Sequence, residues 1–118
     1  MNMDLKKMRV WNTKKEGRLE FLIYLENGRY IGVCLTLDIV EESDDPRKLQ
    51  KSIQEAAIGH VLLVIHKKLD NELLNRPAPE EYWQKYFEIS EQIERKPSPG
   101  AFIFQMPLPI DSRALAHV

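Results

Sequence analysis

Apolar and polar positions alternate along the first third of the chain. Leu19, Phe21, Ile23 and Leu25 alternate with mostly polar neighbours, which predicts a half-buried strand. Ile31, Val33, Leu35, Leu37 and Ile39 repeat at the same period and predict its partner. Two turns can join them. A two-residue Asn27-Gly28 turn pairs Leu25 with Tyr30 and sets the two apolar series on opposite faces. A three-residue loop, Glu26-Asn27-Gly28, pairs Leu25 with Arg29, Ile23 with Ile31 and Phe21 with Val33, so both series share one face. Because a one-residue slip inverts a whole face, the three-residue loop is the expected register, with Gly28 at its left-handed position.

A break at Leu37-Asp38 leaves a short third strand over residues 39–42. The period then changes. Ser43-Asp44-Asp45-Pro46 is a helix start, with Asp45 as N-cap and Pro46 at the first helical position. The helix is expected to run to about residue 71. Leu49, Ile53, Ala56, Ala57, His60 and Val64 form one stripe, to pack on the sheet face of Ile31, Val33 and Leu35. Ile58, Leu62, Ile65 and Leu69 form a second stripe on the other side, which needs its own cover. The Arg76-Pro77-Ala78-Pro79 run ends this unit, and a second helix over 79–94 carries Tyr82, Tyr86, Ile89 and Ile93, with Trp83 and Phe87 on its flank. That helix either covers the second stripe or meets another subunit. A loop at 96–100 leads to a strand over 101–106, with Phe102 and Phe104 on one side and Ile103 on the other. Pro107 and Pro109 stop it or confine it to an edge. Residues 1–16 read as a basic arm with a possible short strand at Met8, Val10 and Trp11, and residues 111–118 as a tail. The fold class is α+β, in a single domain whose hairpin, strand and helix occupy 19–70.

Composition narrows the function classes. The chain has 118 residues, 43% hydrophobic and 30% charged, with a net charge of −1, which suits one globular domain and gives no global field toward nucleic acid. Lys6, Lys7, Arg9, Lys14 and Lys15 have too little aromatic interleaving for a base-stacking platform. No apolar run reaches membrane-spanning length, and the first residues lack the apolar segment of a signal peptide. Cys34 is the single cysteine, so a cytoplasmic protein is expected.

Candidate chemistry is sparse. His60 and His66 are six apart, which is not the spacing of a helical zinc pair, and His117 lies in the tail. His60 reads as a packed histidine. Cys34 reads as a structural thiol facing away from the better core face, with no base near in sequence. Glu41, Glu42, Asp44 and Asp45 lack the spacing and glycine turn of a calcium loop and suit a helix cap. No phosphate-cradling glycine loop or nucleophile elbow is present. Neither a cofactor, a metal nor an enzymatic activity is expected.

One segment carries a family signal. In YIGVCLTLDIVEESDDPRKLQKSIQEAA, residues Tyr30, Cys34, Leu37, Asp44, Pro46, Ile53, Glu55 and Ala56 fall on the strand–turn–helix pattern of the HicB-like antitoxin family, which the segment resembles. Ser43 stands where that pattern has a turn glycine, and Arg47-Lys48-Leu49 replaces Glu-Glu-Ala. The resemblance implies a β-β-β-α-β fold: a three-stranded antiparallel meander, one helix across it and a returning fourth strand. It also implies a role. Such antitoxins neutralise a small basic messenger-RNA-cleaving toxin by covering its active site, and many carry a C-terminal DNA-binding module. No such module is expected after Met106. Under this reading Glu41, Glu42, Asp44 and Asp45 meet the basic toxin, or serve only as a solvated cap. Independently of the resemblance, the apolar faces of the two helices leave Ile58, Leu62, Ile65, Leu69, Trp83 and Phe87 as the expected interface of a homodimer or higher homo-oligomer. The alternative is a ligand- or nucleic-acid-binding domain of the same fold without a toxin partner.

Overall fold

The computed structural model describes residues 11–95 and 100–110. The strand candidate at Met8 and Val10, the tail and His117 lie outside them.

Asn27 and Gly28 both take positive φ, 51° and 80°, and join β1 (Gly17–Glu26) to β2 (Arg29–Cys34). Leu25 pairs with Tyr30 and Phe21 with Cys34, so the hairpin closes by the two-residue turn and the expected three-residue register is overturned. The physical reason is burial on both sides. Every residue from Leu19 to Tyr24 is buried, so the opposed apolar series of the two strands each find a cover. A turn with two left-handed residues also matches the strands' own twist.

Strand β3 (Ile39–Ser43) follows a turn in which Asp38 has φ 54°, and β4 (Ala101–Leu108) returns beside β1. All pairings are antiparallel, in the order β3-β2-β1-β4. The α+β class, with its meander, crossing helix, second helix and returning strand, is as the sequence implies.

Helix α1 (Pro46–His66) lies on one face. Its buried Ile53, Ala57, Val61 and Val64 pack with Leu19, Phe21, Cys34 and Leu108. Burying Leu49, Ile53, Val61 and Val64 supplies roughly 6–12 kcal/mol of transfer free energy, at ~1.5–3 kcal/mol for each large side chain. Gly32 permits the close approach, because a Cβ there would stand 2.9 Å from Leu49 Cγ. Ile53 therefore meets the face of Phe21 and Cys34, not that of Ile31, Val33 and Leu35. The Cys34 thiol faces the helix, contrary to expectation.

The helix stops at His66 rather than near residue 71. Lys68 takes φ 53°, Leu69 N donates to Val64 O at 2.9 Å and Lys68 N to Ile65 O at 3.2 Å. This paired C-terminal cap forms without a glycine, which removed the sequence signal for the end. A 3-10 turn (Asn71–Leu74) follows. Arg76 N then donates to Thr36 O and Ala78 N to Leu35 O, both at 2.9 Å, fastening the crossover to the end of β2.

Helix α2 (Glu80–Arg95) covers the opposite face of the sheet, not the second stripe of α1. Trp83 and Ile89 are buried with Leu22, Tyr24, Val33 and Leu35, and Tyr82, Tyr86, Phe87 and Ile93 pack around them. The sheet is thus a middle layer between two helices.

Candidate functional site

Strand β3 ends the sheet on one side among the described residues. Leu35 N donates to Glu20 O at 2.8 Å, so the odd-numbered residues of β2 address β1 and the even ones address β3. Cys34 lies opposite Ile39 and Gly32 opposite Glu41, so those β3 residues bond inward. Val40 and Glu42 therefore turn their backbone groups outward. Both side chains are exposed, Val40 by 43%.

The acidic side chains differ in how they are engaged. Asp45 caps α1: its carboxylate accepts from Arg47 N at 2.9 Å and Lys48 N at 3.3 Å. Ser43 Oγ accepts from Asp45 N at 3.1 Å and fixes the turn. Glu41 lies on the α1 side, where Ser52 Oγ donates to its carboxylate. Glu42 stands 3.4 Å from Arg29 with both side chains at least half exposed, a pair that solvent screens heavily. Asp44 is exposed. Of the four residues expected to face a partner, Glu42 lies on the outward set of β3 and Asp44 is exposed just past its end, whereas Glu41 is held by Ser52 and Asp45 serves as the helix cap.

The expected oligomer residues are dispersed. Trp83 is 2% exposed and Ile58 3%, so neither is accessible to a second subunit. Phe87 packs in the α2 core, and Ile65 and Leu69 pack against the α1 core. Leu62 is half-buried, while its neighbour Leu63 is 49% exposed. The sequence left the second helix either to cover the first or to meet another subunit, and α2 instead covers the far face of the sheet.

Four other titratable groups, His60, Cys34, Glu20 and Tyr86, are built into the structure. His60 Nε2 donates to Leu73 O at 2.7 Å, tying α1 to the 3-10 turn. Burial pushes the Cys34 thiol up to about 11. Glu20, buried on the α2 side, forms a 2.6 Å ion pair with Arg18 and accepts from the Tyr86 hydroxyl at 3.3 Å. Burial and then the Glu20 charge raise the Tyr86 hydroxyl above its usual value. Sequence reasoning missed this network. An opposite-charge i, i+2 pair within a strand was its visible half, but Tyr86 lies 66 residues away. Among the described residues, no three His, Cys, Asp or Glu side chains gather as metal ligands, and no helix is long and apolar enough to cross a membrane. No family model, curated protein or solved structure matches the chain.

Proposed function

We propose that this chain is a non-catalytic, antitoxin-type module that binds and neutralises a small basic messenger-RNA-cleaving toxin through the β3 edge. The observation that carries the reading is that edge: outward backbone groups at Val40 and Glu42, an exposed apolar side chain, and the acids Glu42 and Asp44 together. An open strand edge accepts an extended segment by backbone hydrogen bonding, and flanking carboxylates steer a basic partner toward it. The resemblance of Tyr30–Ala57 to HicB-like antitoxins supports the partner class, and the β-β-α order of that segment, preceded by β1, is the order the family would have.

Growth rescue tests the reading. The small basic protein that co-purifies with the tagged chain from its own host is expressed alone and with the chain. Arrest of growth by that protein alone, relieved by the chain, is the expected result. A co-purifying protein that causes no arrest, or an arrest unrelieved by folded chain, overturns the proposal.

A further inference from the structure

The other edge of the sheet among the described residues is β4, whose eight residues AFIFQMPL carry no charge. Edge strands are ordinarily guarded by charges, bulges or proline, because their free backbone groups template further pairing. Strand β3 carries such charges in Glu41 and Glu42. Strand β4 has only Pro107.

Its outward groups follow from the hydrogen bonding. Glu20 O accepts from Leu35 N, so even-numbered residues of β1 address β2 and odd-numbered ones address β4. Phe21 lies opposite Phe104, and Phe104 therefore bonds inward. Ala101, Ile103 and Gln105 direct their N–H and C=O groups away from the sheet. Pro107 belongs to this outward set, so its missing N–H leaves the β1 ladder intact. Aromatic rings also lead to this edge: Phe21 and Phe104 stack at 4.7 Å between centroids, and Phe104 and Phe102 at 6.0 Å.

We propose that β4 is a homodimerisation edge, on which a second copy of this chain adds its own β4 antiparallel across a two-fold axis at Ile103. Ile103 then opposes the same residue of the second copy, Gln105 opposes Ala101, and Phe104 opposes Phe102. Pro107 falls just beyond the last bonded pair. The aromatic row continues across the axis on the α1 side, and Ile103 meets its counterpart on the α2 side. Charge selects this edge and this occupant. Two β3 strands paired with each other would bring carboxylates together, which opposes association. An occupant of β4 must be an uncharged strand with aromatic and aliphatic faces and no need of a donor at its proline end, and β4 itself meets each requirement. Such a contact is isologous and closes on itself. It leaves β3 free, so it stands or falls apart from the toxin-binding reading.

Light scattering on the full chain tests the proposal with wild type, Gln105→Ala and Gln105→Pro. Gln105→Ala keeps the outward N–H, and Gln105→Pro removes it. Wild type and Gln105→Ala are expected at twice the 13.8 kDa chain mass, and Gln105→Pro at the single-chain mass with unchanged far-ultraviolet circular dichroism. Hydrogen exchange gives a second readout that needs no variant. On dilution of wild type through its dissociation range, the Ile103 and Gln105 amides should exchange faster while the Phe104 amide stays slow. A monomeric wild type at millimolar concentration overturns the proposal, whether another part of the chain or a different partner covers the edge. So does a dimer that survives Gln105→Pro, or dilution that leaves the Ile103 and Gln105 amides unchanged.

Discussion

Asn12 and Asn75 bind each other reciprocally: Asn12 N donates to Asn75 Oδ1 at 2.8 Å, and Asn75 Nδ2 donates to Asn12 O at 2.8 Å. The fully buried Asn12 side chain also donates to Leu74 O at 3.0 Å and accepts from Arg18 N at 2.8 Å. One amide thus ties the start of β1 to the crossover that carries the chain from the α1 layer to the α2 layer. Asn12→Ala strands a buried carbonyl and a backbone N–H, each costing about 1–3 kcal/mol. Urea unfolding should show a clearly lowered midpoint, and a midpoint equal to wild type contradicts this role.

Local chemistry made much of the fold legible. Asp45-Pro46 marked the start of α1, the alternation of residues 19–25 marked β1, and of the two readings of the prolines, a stop or an edge, the edge holds, with β4 running through Pro107 to Leu108. What was missed is non-local. The register error came from assuming one buried face, when α2 covers the second. Trp83 and Phe87 looked available for the same reason. The end of α1 was invisible because Lys68 fills a position usually taken by glycine. The acids of the β3 turn were legible as a group and Asp45 as the cap, but only the strand pairing shows that Glu42 lies on the outward set of β3 while Glu41 turns to α1.

Ile53 is buried between α1 and the Phe21–Cys34 side of the sheet. Ile53→Asp places a carboxylate there without a partner, and the predicted loss is several kcal/mol. A thermal melt matching wild type would contradict the packing.

The turn at Asn27-Gly28 makes a graded prediction. Valine at Gly28 must adopt φ near 80°, at a cost of about 1–2 kcal/mol for a left-handed residue. Asn27→Ala should cost less but remain measurable, since Asn27 is itself left-handed, and Asn27→Gly should be close to neutral. Chemical denaturation of the three variants checks the order, and a neutral Gly28→Val would refute the two-residue turn.

Cys34 sets an alkaline limit. The unfolded thiol loses its proton near 9.0, whereas burial holds the folded thiol protonated up to about 11. Between those values the folded chain binds a proton that the unfolded chain releases. Stability from this group is therefore unchanged below the window and falls as pH rises through it. Unfolding free energies from pH 8 to 11 should decline less steeply in Cys34→Ala. At pH 8, iodoacetamide should label wild type only after denaturant is added, and rapid labelling of the native chain would contradict the burial.

Binding at the β3 edge is decided by inhibition of messenger-RNA cleavage by the co-purifying basic protein, with wild type, Val40→Pro and the double variant Glu42→Lys, Asp44→Lys compared. Val40→Pro removes an outward donor of β3, and the double variant reverses the charge beside it. Wild type should stop cleavage, Val40→Pro should weaken inhibition at every salt concentration, and the charge reversal should weaken it most at low salt. Equal inhibition by all three folded proteins would contradict binding at the β3 edge.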